Sequence, residues 1–306
     1  TAEGAPTEAP STGESYTVGI IQQMQHVALD SATEGFRDAL TDLLGDQVEF
    51  QYQNASGDTA NCSTIAGSFV ASSVDLIMAN GTTALQAAVA ATGDIPILGT
   101  SITEYGVALG IDGFSGTTGI NVSGTSDLAP LDQQAAMIQE WFPEAQTVGL
   151  LYCSAEPNSQ YQVDTVQSYL EAAGITCTQY SFSDSNDLSA VATTACSSSD
   201  VVYIPTDNTC ANNAELIGNI SLDTGTPIIA GEEGICSGCG VATLTISYYD
   251  IGYATGEMAY EILVNGADPA AMAIEYAPQF TPKYNAAMCD ALGLTPLEGY
   301  EAIATE

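Results

Sequence analysis

The side chains able to do chemistry in this sequence are 38 carboxylates, eight thiols and one imidazole, His26, set against two basic residues, Arg37 and Lys283. Acyl or phosphoryl transfer by a nucleophile needs a base beside it, and only His26 titrates near neutrality when unperturbed. No GxSxG, Walker loop or HExxH occurs. Cys236-Ser-Gly-Cys239 has CxxC spacing, but zinc would need a second pair or further imidazoles, so a local disulfide or free thiols is expected. The even cysteine count suits disulfides in an oxidising compartment without assigning pairs. Many carboxylates without a constellation do not make a glycosidase. We therefore assign no catalytic residue, no metal and no cofactor, and expect binding rather than catalysis.

The formal charge of -36 leaves no basic surface for phosphates, which excludes nucleic acid as a partner. No apolar run approaches the roughly 18 residues of a membrane span. The first fifteen residues, TAEGAPTEAPSTGES, are polar and aperiodic and read as a disordered tether. A chain opening on such a tether resembles a mature lipoprotein whose lipid anchor is not in this sequence. That resemblance implies a place outside the cytoplasm, as a cell-surface lipoprotein or in a periplasm.

Behind the tether, short apolar runs alternate with amphipathic ones. Strands are expected at 17–23, 48–55, 74–80 and 95–101, and helices at 28–44, 58–72 and 82–92, with Asp58 capping the second helix. The grammar repeats from about 125: helices 130–142, 158–173, 187–196 and 209–219, strands 147–153, 176–182, 200–206 and 227–232. The segments SVDLIMANGTTA (73–84) and SSDVVYIPTDNTCA (198–211) share an apolar strand and a polar turn. The fold class is therefore α/β: two Rossmann-like lobes with parallel sheets covered by helices. Lobe 1 is expected to comprise 16–122 and 250–276, with 283–306 returning to it, and lobe 2 to comprise 126–245. Crossovers near 122–127, 242–249 and 276–282 would form the hinge.

Several segments in order resemble the tryptophan/tyrosine-type ABC transporter substrate-binding proteins, of the type I periplasmic-binding-protein fold. They include GIIQQMQHVALDSATEGF (19–36), DLIMANGTTALQAA (75–88), NVSGTSDLAP (121–130), GLLYCSAEPNS (149–159), YIPTDNT (203–209), GEEG (231–234) and ISYYDIGYATGEMAYEIL (246–263). The resemblance implies an importer component that closes its lobes on tryptophan, tyrosine or phenylalanine. It also implies an ABC permease as partner and a monomer in solution. The same fold serves as a sensing ectodomain that feeds a signalling receptor, which is the alternative reading.

An amino acid needs donors for its carboxylate, acceptors for its ammonium and an apolar slot. In open α/β sheets the site lies beyond the carboxyl ends of the strands. Arg37 sits about two turns into the first helix, where an ion pair with Glu34 or Asp38 is expected. Backbone N–H groups and hydroxyls at helix starts must then hold the carboxylate, and Gly81-Thr82-Thr83 and Asn158-Ser159 supply them. Asp207 is the expected ammonium partner, with Asn208 capping the helix that follows; Glu156 and Glu232 are further acceptors. Gln22 ends the first strand, His26 lies at the cleft mouth, and Tyr248, with Tyr105, Phe114 and Tyr249, is a candidate for the apolar slot.

Overall fold

The computed structural model describes residues 15–304, so the expected tether lies outside the described residues apart from Ser15. Lobe 1 begins with β1 (Tyr16–Gln22), α1 (Val27–Leu44), β2 (Val48–Asn54), α2 (Thr59–Ala71), β3 (Leu76–Asn80), α3 (Thr82–Ala91), β4 (Ile97–Ile102), α4 (Tyr105–Leu109) and β5 (Val122–Ser126). Lobe 2 follows with α5 (Leu131–Trp141), β6 (Thr147–Cys153), α6 (Pro157–Ala172), β7 (Thr176–Phe182), α7 (Ser185–Ser198) and β8 (Val201–Ile204). It continues through α8 (Asn208–Asn212), α9 (Ala214–Thr224), β9 (Ile228–Ala230), α10 (Glu233–Gly238) and β10 (Ala242–Thr245). The chain returns to lobe 1 for α11 (Tyr248–Leu263) and β11 (Glu275–Tyr276), then ends with β12 (Thr281–Tyr284), α12 (Ala286–Leu292) and β13 (Glu301–Ala302).

The expected repeat is visible in the strand pairing. The first strand of each lobe lies between its second and third: β1 pairs in parallel with β2 and β3, and β6 with β7 and β8. The full orders are β11-β5-β4-β3-β1-β2 and β13-β12-β10-β9-β8-β6-β7. Successive side chains leave a strand on opposite faces, so each sheet has a core on both sides. In lobe 1, Val18 and Ile20 pack with Phe36, Leu40 and Met258, while Ile21 packs with Phe69 and Leu85. In lobe 2, Leu150 joins Trp141 and Val166, and Leu151 joins Leu188 and Ile217. Asp58 caps α2 as expected, its Oδ1 accepting from the Asn61 N–H at 3.0 Å.

Helices α1 and α11 touch backbone to backbone. A Cβ on Gly252 would lie 2.0 Å from the Ala32 carbonyl oxygen, and one on Gly35 2.1 Å from that of Tyr249. Replacing Gly252 with Ala gains about 1 kcal/mol of helix propensity. The obstructing atom is backbone and cannot rotate aside, and overpacking of this kind costs about 1–3 kcal/mol or more. With a backbone atom only 2.0 Å away the cost lies at the upper end of that range, so Gly252→Ala should lower the urea midpoint by a net equivalent of about 2 kcal/mol. An unchanged or raised midpoint would mean that the two helices part freely.

The chain passes between the lobes three times, through 127–130, 246–247 and 277–280. The last passage corrects the sequence expectation that 283–306 returns to lobe 1. Strand β12 pairs antiparallel with β10, Ala242 opposite Tyr284, and β13 pairs with β12. Tyr300 meets Trp141 edge-on at 5.2 Å. Without β12, β10 would present an open edge, and a short linker from β11 reaches it. The expected helix 209–219 is two helices, broken at Asn213 (φ -123°, ψ 20°).

Candidate functional site

The carboxyl ends of the two sheets face each other across a cleft. Lobe 1 contributes His26, Leu29, Ser101 and Thr103, the hinge contributes Asp127 and Tyr248, and lobe 2 contributes Asn158, Thr206, Asp207, Asn208, Ala211 and Glu232. The lobes are in contact: His26 Nε2 lies 3.0 Å from Asn208 Oδ1 and Thr103 Oγ1 lies 3.4 Å from Thr206 Oγ1. The cavity between them is about 10 Å³, the room of roughly one water. A larger guest enters only if the lobes part.

Ser101 reaches the cavity through a bulge. The β4–β5 register shifts between Gly99 and Ile102, and Ser101 takes a left-handed backbone, φ 56°. The Tyr105 hydroxyl holds the bulge, its oxygen 3.0 Å from the carbonyl oxygens of both Gly99 and Thr125, between which its one proton is shared. Gly124, at φ 141°, is required beside it, since a Cβ there would lie 2.0 Å from the Gly99 oxygen. Strained, non-glycine backbone of this kind concentrates at functional sites.

Asp127 is the first residue after β5. Its N–H donates to the Ile102 carbonyl at 3.1 Å, and its Oδ2 accepts from the Tyr248 hydroxyl at 2.9 Å. Its Oδ1 is buried without a partner. Burial raises the carboxyl pKa above the usual range, and the hydrogen bond from Tyr248 offsets only part of this. Asn158 donates through Nδ2 to the Thr206 carbonyl at 3.0 Å and leaves Oδ1 unpaired. Among the described residues, three of the five unpaired buried side-chain oxygens, Ser101 Oγ, Asp127 Oδ1 and Asn158 Oδ1, belong to residues lining this one cavity, and the other two, Asn80 Oδ1 and Thr243 Oγ1, do not. Buried polar atoms without partners are rare, and a ligand is one way to satisfy them.

The other carboxylates here are occupied by backbone. Asp207 accepts from the N–H groups of Cys153 (2.7 Å) and Cys210 (2.8 Å), capping α8. Glu156 binds the N–H groups of Asn208 (3.0 Å) and Thr209 (2.9 Å) together with both their side chains. Burial, followed by the Glu156 carboxylate, pushes the Asp207 carboxyl up to about 7. Glu232 caps α10 through the N–H groups of Gly234 (2.6 Å) and Ile235 (2.5 Å), and burial again raises its carboxyl.

Of the residues singled out from sequence, Asn158, Asp207, Asn208, Glu232 and Tyr248 line the cavity, as does His26. Gln22, Gly81, Thr82, Thr83, Glu156 and Ser159 do not. Gln22 binds Asp30 and Thr33 inside lobe 1. The start of α3 is filled by the Gln23 side chain, which accepts from the Thr83 N–H at 2.9 Å and lies where a Gly81 Cβ would be. Asp207 rather than Asn208 caps α8. Arg37 stacks over Phe50 at 5.3 Å instead of pairing with Glu34 or Asp38, and Lys283 pairs with Glu233 at 2.7 Å. Phe114 stacks on Tyr105 behind the bulge, and Tyr249 bonds Asp38 on the outer surface. Asp127, Ser101 and Thr103 escaped the sequence reading. The available signal for Asp127 was its place directly after a buried strand, the same placement that singled out Asp207.

All eight cysteines are free thiols, seven of them buried. Among the described residues no group of His, Cys, Asp or Glu could hold a metal ion, and no helix is long and apolar enough to cross a membrane. The family model described as ABC transporter substrate binding protein matches residues 17–306. A tyrosine-binding protein of Clostridioides difficile is 35% identical over 249 residues, 80% of this chain and 72% of the relative. A domain from Streptococcus pneumoniae solved with L-tryptophan superposes with a TM-score of 0.90 at 29% identity, covering 95% of this chain and 100% of that one. A substrate-binding protein with adhesive properties from Clostridium difficile, solved ligand-free and open, is 33% identical over the same shares, 95% and 100%, with a TM-score of 0.72.

Proposed function

The chain belongs to the ABC transporter substrate-binding proteins, and from that premise we propose that it captures an aromatic amino acid between its lobes, outside the cytoplasm, for delivery to an importer permease. The observation that carries the reading is the orphaned Asp127 Oδ1, a buried acceptor at the hinge facing the cleft. A primary ammonium supplies the donors it lacks, and the charge-assisted bond is stronger than a neutral one. The relatives' cargoes, tyrosine and L-tryptophan, favour an aromatic side chain beyond the amine.

Capture proceeds by hinge closure. Three short linkers join two lobes, each with its own two-sided core, so rotation about the linkers leaves both cores intact. The chain superposes better on the ligand-bound relative than on the open one, although its identity to the open one is higher. The inversion supports this reading, because a change of lobe angle lowers a superposition score without touching sequence identity. Titration calorimetry with tyrosine, tryptophan and phenylalanine should give saturable binding, and small-angle scattering should show the radius of gyration falling on saturation. Absence of binding to all three would overturn the cargo; binding without compaction would overturn closure.

A further inference from the structure

The unpaired oxygens of the cavity divide by chemistry. Asp127 Oδ1 and Asn158 Oδ1 accept, whereas the Ser101 hydroxyl can donate. On the reading that the cargo is an aromatic amino acid, the two acceptors suit its ammonium and its carboxylate still needs donors. No Lys or Arg lines the cavity, and the two basic side chains of the sequence are engaged elsewhere, on Phe50 and on Glu233.

Helices α6, α8, α10 and α11 begin beside the cavity with their first turns largely committed. The N–H groups that open α8 and α10 bond the carboxylates of Asp207 and Glu232. Ser247 caps α11, its Oγ accepting from the Asp250 N–H at 3.1 Å. Helix α6 opens on Pro157, which has no N–H, and the N–H groups of Ser159 and Gln160 bond the Glu156 carbonyl, which leaves that of Asn158 alone.

Helix α1 differs from these. It is 18 residues long, no side chain caps it, and the first of its N–H groups to find a carbonyl is that of Asp30, 2.9 Å from the His26 oxygen. The N–H groups of Val27, Ala28 and Leu29 are left over, at the end of the helix where the aligned peptide dipoles leave partial positive charge. His26 holds the cap position, but its ring is spent across the cleft. Asn208 donates through Nδ2 to Glu156 at 2.7 Å and presents Oδ1 to His26, so His26 Nε2 carries the proton in that 3.0 Å contact. Leu29 and Ser101 line the same cavity from the same lobe. Ser101 is 7% exposed, and its Oγ, set there by the bulge, has no partner.

We propose that the first turn of α1 and the Ser101 hydroxyl bind the α-carboxylate of the cargo, while Asp127 and Asn158 take its ammonium. Backbone N–H groups at a helix start, joined by one hydroxyl, hold an anion without any cationic side chain. The site then reads both charges of a zwitterion. A ligand without the carboxylate leaves the helix end unmatched and Ser101 unpaired.

The test is titration calorimetry of the purified chain, and of its Ser101→Ala and Ser101→Gly variants, against three sets of probes: tryptophan, tyrosine and phenylalanine; their amides; and tryptamine, tyramine and phenethylamine. The amides and amines keep the ring and the ammonium and lack the carboxylate. They should bind the unmodified chain more than about thirtyfold more weakly than the parent amino acid. Both variants should weaken the amino acid by at least about tenfold while moving the matching amide or amine by less than about threefold. Glycine adopts the left-handed backbone of this position freely, so Ser101→Gly separates loss of the hydroxyl from strain. An amide or amine within about thirtyfold of its parent would overturn the carboxylate seat and leave the aromatic amino-acid reading standing. A smaller loss in the variants, or an equal loss for amino acid and amine, would remove Ser101 from the seat and overturn the proposal in the same way. Binding of none of the amino acids would overturn both.

Discussion

Replacing Asp127 with Asn should weaken cargo binding by about thirtyfold or more while raising the melting temperature of the ligand-free protein. The two effects have one cause. Asp127 Oδ1 is a buried carboxylate oxygen with no partner, and burial alone pushes its pKa upward. Neutralising it removes a desolvation cost of about 1–3 kcal/mol from the empty protein. The amide oxygen can still accept the hydrogen bond that Tyr248 donates at 2.9 Å. The ammonium, however, loses its charged partner, and breaking a buried charge pair costs about 2–5 kcal/mol. That converts to roughly 30-fold to several-thousand-fold in affinity. A melting curve and a titration on the same preparation read both signs. Unchanged affinity would remove Asp127 from the site, and a lower melting temperature would mean that its charge is satisfied in the empty protein.

Acidification should stabilise this protein. The carboxyls of Asp127, Asp207 and Glu232 all have raised pKa values in the fold, that of Asp207 to about 7 from 3.8. Between those two limits the folded state holds protons that the unfolded state has released, so stability falls as pH rises. Each such group changes stability by at most about 1.4 kcal/mol per pH unit within its window. For Asp207 the causes are burial and the neighbouring Glu156, and the N–H groups of Cys153 and Cys210 oppose them without winning. The urea midpoint should therefore decline from about pH 4 to about pH 7. Net charge contributes in the same direction, but salt screens exposed charges and leaves buried ones nearly untouched. Persistence of the slope in high salt would assign it to the cleft carboxyls; a slope that vanishes there would assign it to the surface, and a flat or rising midpoint would contradict both.

The lobes were legible because their central strands are written in continuous apolar runs. TVGLLYC and the strand ending SVDLIMAN are buried on both faces and flanked by amphipathic helices, and no other arrangement buries them. The third passage of the chain was not legible in the same way. β11 has two residues, both exposed, and the side chains of β12 are only half-buried, so neither carries a pattern that chooses a sheet. Geometry chooses instead, through linker length and the open edge of β10. The site was legible where residues end strands and start helices, which drew in Asn158, Asp207, Asn208 and Glu232. It failed on roles, because a carboxylate at a helix start caps the backbone as readily as it binds a guest. Whether such an oxygen is free depends on the N–H groups around it, and Asp127 differs from Asp207 only there.

The glycine contact between α1 and α11 also bears on how the molecule is made. The face of α1 that carries Gly35 is finished early in synthesis, and its partner helix is about 200 residues further along. At roughly 5–20 residues per second, that surface waits about 10–40 s for α11 to emerge. In the interval all of lobe 2 up to β10 is made, and neither lobe has its final edge strand. Nascent lobe 1 is thus an open half-shell with a bare groove, a surface that a chaperone can hold. It becomes a closed unit only when residues from the far side of the hinge come back to it.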